Sequence, residues 1–146
     1  MLTRVATEAD VEALFDVRTS VIENQQSREE LLDIGVTPDA VAKMLRTTCQ
    51  VWITENDGHA VAFSMADAAE GTVFAMFVRP ELERRGLGRT LMKLAEDWLF
   101  SHGWTEIWLL TGSDPALRAV GFYDHLGWQA IGQQADGQTK YVKRNG

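Results

Sequence analysis

Val78-Arg79-Pro80-Glu81-Leu82-Glu83-Arg84-Arg85-Gly86-Leu87-Gly88-Arg89-Thr90 is the segment of this chain best equipped for chemistry. An apolar run ends there, a Gly-x-Gly turn follows, and a helical pattern begins. Such a turn aims several backbone N–H groups at one point, and the helix N-terminus adds roughly half a positive charge. Glycine suits the place because a side chain would hold off an approaching oxygen. With Arg79, Arg84, Arg85 and Arg89 around it, the segment reads as a seat for a phosphate-bearing anion. Gly-x-Gly alone would serve equally as a plain turn beside solvated arginines; the strand before it and the helix after it tip the reading toward an anion. The segment lacks the Gly-x-x-x-x-Gly-Lys-Ser/Thr of a P-loop. It also lacks the dinucleotide fingerprint, whose third glycine position holds Leu91.

The elements that must position this loop follow from periodicity and caps. Leu2–Ala6 reads as a strand. Thr7 with Asp10 makes a capping-box spacing, and Val11, Leu14, Phe15, Arg18, Val21 and Ile22 recur at helical intervals to about Asn24. Ser27 with Glu30 opens a short helix that Gly35 stops, and Thr37-Pro38 opens a third through about Arg46. Val51–Ile53 and Ala60–Met65 pair through an Asn56-Asp57-Gly58 turn. The apolar run Thr72–Val78 predicts a central strand buried on both faces. After the glycine turn comes a helix with core residues Leu91, Leu94, Ala95, Trp98 and Leu99, closed by Gly103. Ile107–Leu110 is a further buried strand, Asp114-Pro115 caps a helix to about Leu126, and Trp128–Gln134 and Gln138–Arg144 form a terminal hairpin. The order β-α-α-α-β-β-β-α-β-α-β-β predicts an α/β domain over residues 1–146, mostly antiparallel, with one parallel crossover near its centre.

Composition narrows the classes. At 45% hydrophobic and 24% charged, the chain belongs with globular proteins. A single cysteine, Cys49, excludes an internal disulfide framework. It precedes a strand without a neighbouring histidine and reads as a small core residue. His59, His102 and His125 are scattered and suggest no metal site. No run approaches the roughly 18 apolar residues of a membrane span, and the first residues show no apolar signal core, so a cytoplasmic protein is expected. Residues 1–73 carry 13 acids against 5 bases, whereas residues 74–146 carry 8 against 9. A net charge of −7 disfavours nucleic acid as a partner. The split is either a matter of solubility or a sign of two partners, an anion for the second half and a cation for the first.

The loop resembles the acetyl-CoA signature of the GCN5-related N-acetyltransferase (GNAT) superfamily, Arg/Gln-x-x-Gly-x-Gly/Ala after a Val-x-Pro strand end. Here Val78-x-Pro80 and Glu83-x-x-Gly86-x-Gly88 fill it, with Glu83 in place of Arg or Gln. A second stretch, Ala119-Val120-Gly121-Phe122-Tyr123-Asp124-His125-Leu126-Gly127-Trp128, is similar to the family's Ala-x-x-Phe-Tyr-x-x-x-Gly-Phe segment, with Ala116 where an Asn often stands. The resemblance implies a sheet splayed between the Thr72–Val78 and Ile107–Leu110 strands, with CoA in the gap. It implies pyrophosphate on Arg84, Arg85, Gly86, Leu87 and Gly88 and on the helix start Arg89-Thr90, with the backbone of Phe77 and Val78 pairing with the pantetheine. Arg118 either reaches a CoA phosphate or belongs to a solvated helix face.

Within that frame Tyr123 is the expected general acid, since a phenol of pKa about 10 is protonated at neutral pH. Core packing of a Phe-Tyr pair is the competing explanation. The central strand offers no carboxylate base. Glu23, at the expected end of the first helix, is the candidate base or ammonium partner, and a solvated helix-end glutamate is the alternative. Asp67 and Glu70 are weaker candidates. Thr111-Gly112 is placed beside the acyl channel, and Trp128 is expected to shape the pocket. The implied activity is acetyl transfer from acetyl-CoA to a small, cationic primary amine in a ternary complex, with no metal. The terminal hairpin leaves an edge through which a homodimer could form. A non-catalytic acyl-CoA-binding sensor or interaction module is the rival; it would need neither Tyr123 nor a base.

Overall fold

Capping chemistry fixes the helices of the first half. The Ser27 hydroxyl accepts the Glu30 N–H at 3.1 Å while the Glu30 carboxylate accepts the Ser27 N–H at 3.1 Å. Thr37 accepts the Ala40 N–H at 3.1 Å, with Pro38 next to it at the first helical position. Asp10 accepts the Thr7 N–H at 2.8 Å and grips Arg4 through both carboxylate oxygens, tying the first helix to the first strand.

The computed structural model describes residues 1–20, 27–82, 85–111 and 118–145, and the backbone alone of 118–120. In chain order the elements are β1 (Leu2–Val5), a 3-10 turn (Glu8–Asp10), α1 (Val11–Arg18), α2 (Arg28–Asp33), α3 (Pro38–Leu45), β2 (Cys49–Asn56), β3 (His59–Asp67) and β4 (Thr72–Val78). A second 3-10 turn (Pro80–Leu82) leads to α4 (Leu87–Ser101), β5 (Glu106–Thr111), α5 (Arg118–His125), β6 (Gln129–Gln133) and β7 (Thr139–Arg144). This is the expected order. The expected continuation of α1 to Asn24 and the Asp114-Pro115 cap fall on residues outside those described.

The strands make a sheet of order β1-β2-β3-β4-β5-β7-β6, antiparallel throughout except for the β4–β5 pair. β6 is an edge and is exposed along its whole length. On one face α4 and α5 cover Ala62, Ala66, Ile107 and Leu109 with Leu91, Ala95, Leu99 and Tyr123. On the other, α1–α3 cover Val51, Ile53, Phe63 and Met65 with Leu14, Phe15, Leu31 and Val41. No helix among the described residues is long and apolar enough to cross a membrane.

β4 and β5 meet at one register pair, Thr72 with Trp108. The Thr72 hydroxyl donates to the Trp108 carbonyl at 2.7 Å, and the Trp108 N–H donates to the Gly71 carbonyl at 3.1 Å. Beyond that point each strand keeps only its outer neighbour, β4 with β3 and β5 with β7. The sheet therefore splays toward Val78 and Thr111. A bulge adds to this: Ala66 opposes Val73 and Met65 opposes Ala75, leaving Phe74 unopposed. Hence β4 is not buried on both faces as its apolar run predicts. Thr72 and Val73 are buried, Phe74 is 40% exposed, and Ala75–Val78 are half-buried along an open cleft.

The core face of α4 is also rotated from the expected one. Leu94 is exposed and Trp98 only half-buried, whereas Met92 and Glu96 are buried with Leu91, Ala95 and Leu99. The cause is the layer formed by α5 and the terminal hairpin. Trp128 donates its indole N–H to Glu96 at 3.0 Å, and the Lys143 ammonium donates to the same carboxylate at 2.7 Å, which draws that side of α4 inward.

Candidate active site

The amide cluster at the start of α4 is built by two glycines with different tasks. Gly86 is the N-cap, in the left-handed region at φ 77°, with open space where a side chain would stand. Gly88 lies against Phe122 and Met76; a Cβ there would sit 3.2 Å from Phe122 Cζ and 3.4 Å from Met76 Cε. The first helical bond runs from the Thr90 N–H to the Gly86 carbonyl at 3.1 Å, and the Thr90 hydroxyl donates to the same oxygen. The amides of Leu87, Gly88 and Arg89 precede that bond and have no acceptor within the helix. Arg85, Arg89 and Thr90 are exposed around them. The arrangement suits an anion, and a diphosphate fits its open side. Arg79 does not join it as expected: its Nε donates to the Ala60 carbonyl at 2.9 Å. Arg84 lies outside the described residues, and Arg118 is described only as the backbone that opens α5.

The cleft runs from this cluster along the inner edge of β4. Phe77 and Val78 are paired to Phe63 and Ala62 of β3 on the outer side and have no β5 partner on the inner side. Backbone groups of alternate residues on this inner edge thus lack a ladder to bond. Val78 packs toward α4. Phe77 packs toward α1, its ring 5.6 Å from Phe63 and 4.3 Å below the Arg18 guanidinium.

Tyr123 stands beside Phe122 on α5, the two rings 5.3 Å apart. It is 8% exposed and rings of Trp128 and Tyr141 lie 6.3 and 5.8 Å away. Burial, with a smaller contribution from Tyr141, pushes its hydroxyl up to about 12. The phenol thus keeps its proton throughout the neutral range. Trp128 does not shape a pocket as expected. Its ring is pinned under Tyr123 by Glu96, while Lys143 also donates to the Leu126 carbonyl at 2.9 Å and holds the end of α5.

On the α1 side of β4 lies a cavity of about 330 Å³. Leu14 and Phe15 of α1, Leu31 of α2, Val41 and Met44 of α3, and Phe63, Met65, Phe74, Ala75 and Phe77 of the sheet line it, with Ile34 and Val36 from the loop between. Among the described residues Arg18 is the one charged residue on that wall, and burial lowers its pKa. Sequence reasoning assigned Arg18 no task, yet the signal was present: it interrupts the apolar series Val11, Leu14, Phe15 on the buried face of α1. The acids of α1 turn away. Glu12 and Asp16 pair with Arg28 at 2.8 and 3.3 Å, and Glu8, in the 3-10 turn before α1, pairs with Arg46.

Glu23 lies outside the described residues. Asp67 and Glu70 sit at the closed end of the split, since Asp67 opposes Thr72 where β4 and β5 are joined. Asp67 accepts the Thr48 hydroxyl at 2.7 Å and the Ala69 N–H at 2.9 Å. Thr72 and Val78 are the two ends of a seven-residue strand that rises about 3.3 Å per residue, so neither Asp67 nor Glu70 serves the cleft. Thr111 is buried at the end of β5, and Gly112 is not among the described residues. Among the described residues no group of His, Cys, Asp and Glu could hold a metal. Burial and nearby Asp67 push the Cys49 thiol up to about 11, away from the thiolate form that a nucleophile needs.

The sequence pattern of the acetyltransferase (GNAT) family matches residues 10–128. The alanine N-acetyltransferase of ribosomal protein bS18 from Salmonella typhimurium is 34% identical over 74 residues, 49% of this chain and 49% of that protein. The chain thus aligns with about half the length of this curated relative. The crystal structure of PaiA N-acetyltransferase from Thermoplasma acidophilum in complex with coenzyme A superposes with a TM-score of 0.82 at 14% identity, over 99% of this chain and 100% of that one. That of yncA from Salmonella typhimurium with its cofactor acetyl-CoA gives 0.74 at 18% identity, over 98% and 92%. At these identities the likeness is one of fold.

Proposed function

The chain belongs to the acetyltransferase (GNAT) family, and on that footing we propose that it moves an acetyl group from acetyl-CoA to the primary amine of a small acceptor, directly, in a ternary complex. The observation that carries the reading is the meeting, at the open end of the β4–β5 split, of three helix-start amides with an unpaired strand edge. Solved structures of the same fold hold coenzyme A or acetyl-CoA by name. Acetyl-CoA supplies the activated thioester.

The residues divide the work as follows. Amides of Leu87, Gly88 and Arg89, with the turn Arg84–Gly88 and Thr90, take the pyrophosphate, and Arg85, Arg89 and Arg118 add positive charge. The inner edge of Phe77 and Val78 aligns the pantetheine as an added strand would and directs an N–H at the thioester carbonyl. The amine nitrogen forms a bond to the carbonyl carbon as the carbon–sulfur bond breaks. Tyr123 gives its proton to the departing thiolate. Glu23 accepts the proton the nitrogen sheds, directly or through water.

A cationic acceptor, expected from the acidic first half, draws no support from the α1-side cavity, whose charged wall residue is Arg18. A protein amine is the second reading, favoured by the 34% identity to an enzyme named for acetylating a ribosomal protein. Thiol release from acetyl-CoA, followed across polyamines, amino acids, aminoglycosides and short peptides, tests the proposal. Amine-dependent release supports transfer and identifies the acceptor class. Tight acetyl-CoA binding with no release for any amine favours the acyl-CoA-binding module instead.

A further inference from the structure

We infer that the acceptor carries its amine on a neutral hydrocarbon body, alkyl or aralkyl, with no second charge, and that this body lies in the cavity between α1–α3 and the β3–β4 face. The inference rests on the transferase reading above and adds the chemical class of the acceptor. The described walls of the cavity are aliphatic, thioether and aromatic except where Arg18 enters, and Arg18 is already engaged there, its guanidinium 4.3 Å over the Phe77 ring. Among the described residues no carboxylate lines the cavity. The loop between α2 and α3 adds no free N–H. Ile34 and Val36 donate to the Leu31 carbonyl at 3.2 and 2.8 Å, and Gly35 donates to the Leu32 carbonyl at 3.0 Å.

The bulge in β4 supplies one wall. Side chains alternate along a regular strand, which would put Val73, Ala75 and Phe77 on the same face. Instead Val73 packs with the α4 layer, whereas Ala75 and Phe77 pack with the α1 layer. Phe74, the residue the bulge leaves unopposed, lies between them and lines the cavity. The bulge thus turns the side chains of Ala75 and Phe77 toward the cavity at the open end of the split. Phe77 is also the residue whose backbone is read as bordering the acyl group. A hydrocarbon body packed on Ala75 and Phe77 therefore presents its amine beside the strand along which the thioester runs.

Exposed apolar surface converges on this cavity, since Ile34, Val36 and Phe74 all line it and are all exposed. Covering such surface removes it from water, and each methylene buried there is worth about fourfold in affinity. An apolar wall also favours the neutral amine, the form that attacks a thioester. A second ammonium would lose its water with no described anion to meet it, which sets polyamines and aminoglycosides aside. The volume, about 330 Å³, stands at the lower end of small-molecule sites, which begin at about 300 Å³. It suits one small amine rather than an extended peptide. The reaction balances as before: the nitrogen–carbon bond forms, the carbon–sulfur bond breaks, Tyr123 protonates the thiolate, the nitrogen loses one proton, and the products are an N-substituted acetamide and CoA.

Thiol-release kinetics with acetyl-CoA test this on the n-alkylamines from ethylamine to hexylamine, and on cadaverine, whose second ammonium stands where hexylamine has its terminal methyl. Spermidine and an alanine-ended peptide run alongside. The wild-type kcat/KM is expected to rise about fourfold with each methylene and to favour hexylamine over cadaverine by at least about 100-fold, since an unpaired ammonium is costly to bury. Val36→Trp fills the cavity from its loop and should flatten the series. Met44→Glu places an anion on the wall and should move the hexylamine-to-cadaverine ratio at least about tenfold toward cadaverine, the range of a charge-assisted hydrogen bond. A flat wild-type series, a preference for cadaverine, spermidine or the peptide, or a series and ratio that neither variant alters would overturn the assignment while leaving transfer intact. Absence of release with every amine would overturn the transferase reading and this assignment with it. The wild-type series stands even where a variant folds poorly, and circular dichroism with the acetyl-CoA KM identifies such a variant.

Discussion

Phe122 occupies the side of Gly88 where a side chain would grow, its Cζ 3.2 Å from the position of the missing Cβ. One contact thereby couples the amide cluster of α4 to the helix that carries Tyr123. Gly86, two residues earlier, has nothing near it but needs its left-handed φ of 77°. The two alanine variants should fail for different reasons. Gly86→Ala should cost about 1–2 kcal/mol of stability through backbone strain. Gly88→Ala should cost a similar amount through overpacking, and by displacing Phe122 it should also lower kcat. Denaturant midpoints with acetyl-CoA KM and kcat separate them: both variants raise KM, but only Gly88→Ala depresses kcat more than about threefold. Equal kcat values would break the proposed link between α4 and α5.

Tyr123→Phe should lower kcat by at least about 100-fold, the lower end of general acid catalysis, with acetyl-CoA affinity kept. The pH dependence carries a sign of its own. The folded hydroxyl titrates near 12 against an ordinary 10. Below 10 both states hold the proton and the shift costs nothing. Above it the unfolded chain releases the proton while the folded chain does not, so stability falls as pH rises from about 10 to about 12. Tyr123→Phe should flatten that alkaline loss in equilibrium unfolding. An acetylation rate unchanged by the variant would remove Tyr123 from the mechanism.

The opposite sign holds at the other end of the sheet. The Arg4 guanidinium, hydrogen-bonded to both Asp10 oxygens, lowers the Asp10 carboxyl from 3.8 to about 2. Its stabilisation is complete above the unfolded value and is lost as pH falls from about 4 through about 2. Asp10→Asn should make stability less sensitive to acid in that window while lowering it at neutral pH. Urea midpoints measured from pH 2 to 7 report both effects, and parallel wild-type and variant curves would refute the pairing.

The parts of this architecture written in backbone chemistry were legible in the sequence. Thr7, Ser27 and Thr37 mark helix starts because their oxygens accept from fixed positions, and Gly86-Leu87-Gly88 marks the amide cluster because few residues tolerate its geometry. Relationships between distant segments were not legible. The β4–β5 gap is a missing ladder, and no residue type encodes an unmade pairing. The bulge at Phe74 hides in an unbroken apolar run, so Thr72–Val78 reads as fully buried although half of it lines a cleft. Glu96 reads as a solvent residue until Trp128 and Lys143 arrive from the end of the chain. Arg18 was visible as a charge on an apolar stripe, but its neighbour Phe77 lies 59 positions away.

The closed end of the split should govern how far the open end gapes. Gly71, at φ 69°, lies under Trp104 so tightly that a Cβ would meet its Cδ2 at 2.7 Å. Trp104 donates its indole N–H to the Ala68 carbonyl at 2.7 Å, and Trp108 does the same to Glu70 at 2.9 Å, so two indoles clamp the β3–β4 turn onto β5. Gly71→Ala meets a rigid ring and a left-handed backbone together and should cost about 2–4 kcal/mol, the sum of overpacking and strain. Trp104→Phe removes the indole hydrogen bond, leaves the Ala68 carbonyl without that donor, and should cost about 1–3 kcal/mol. Because Thr72 and Trp108 form the register pair that joins β4 to β5, loosening the clamp should widen the cleft and raise the acetyl-CoA KM although neither residue borders it. Chemical denaturation gives the stability loss, and steady-state kinetics gives the KM. A destabilised Trp104→Phe enzyme with an unchanged acetyl-CoA KM would show that the open end keeps its width independently of the clamp.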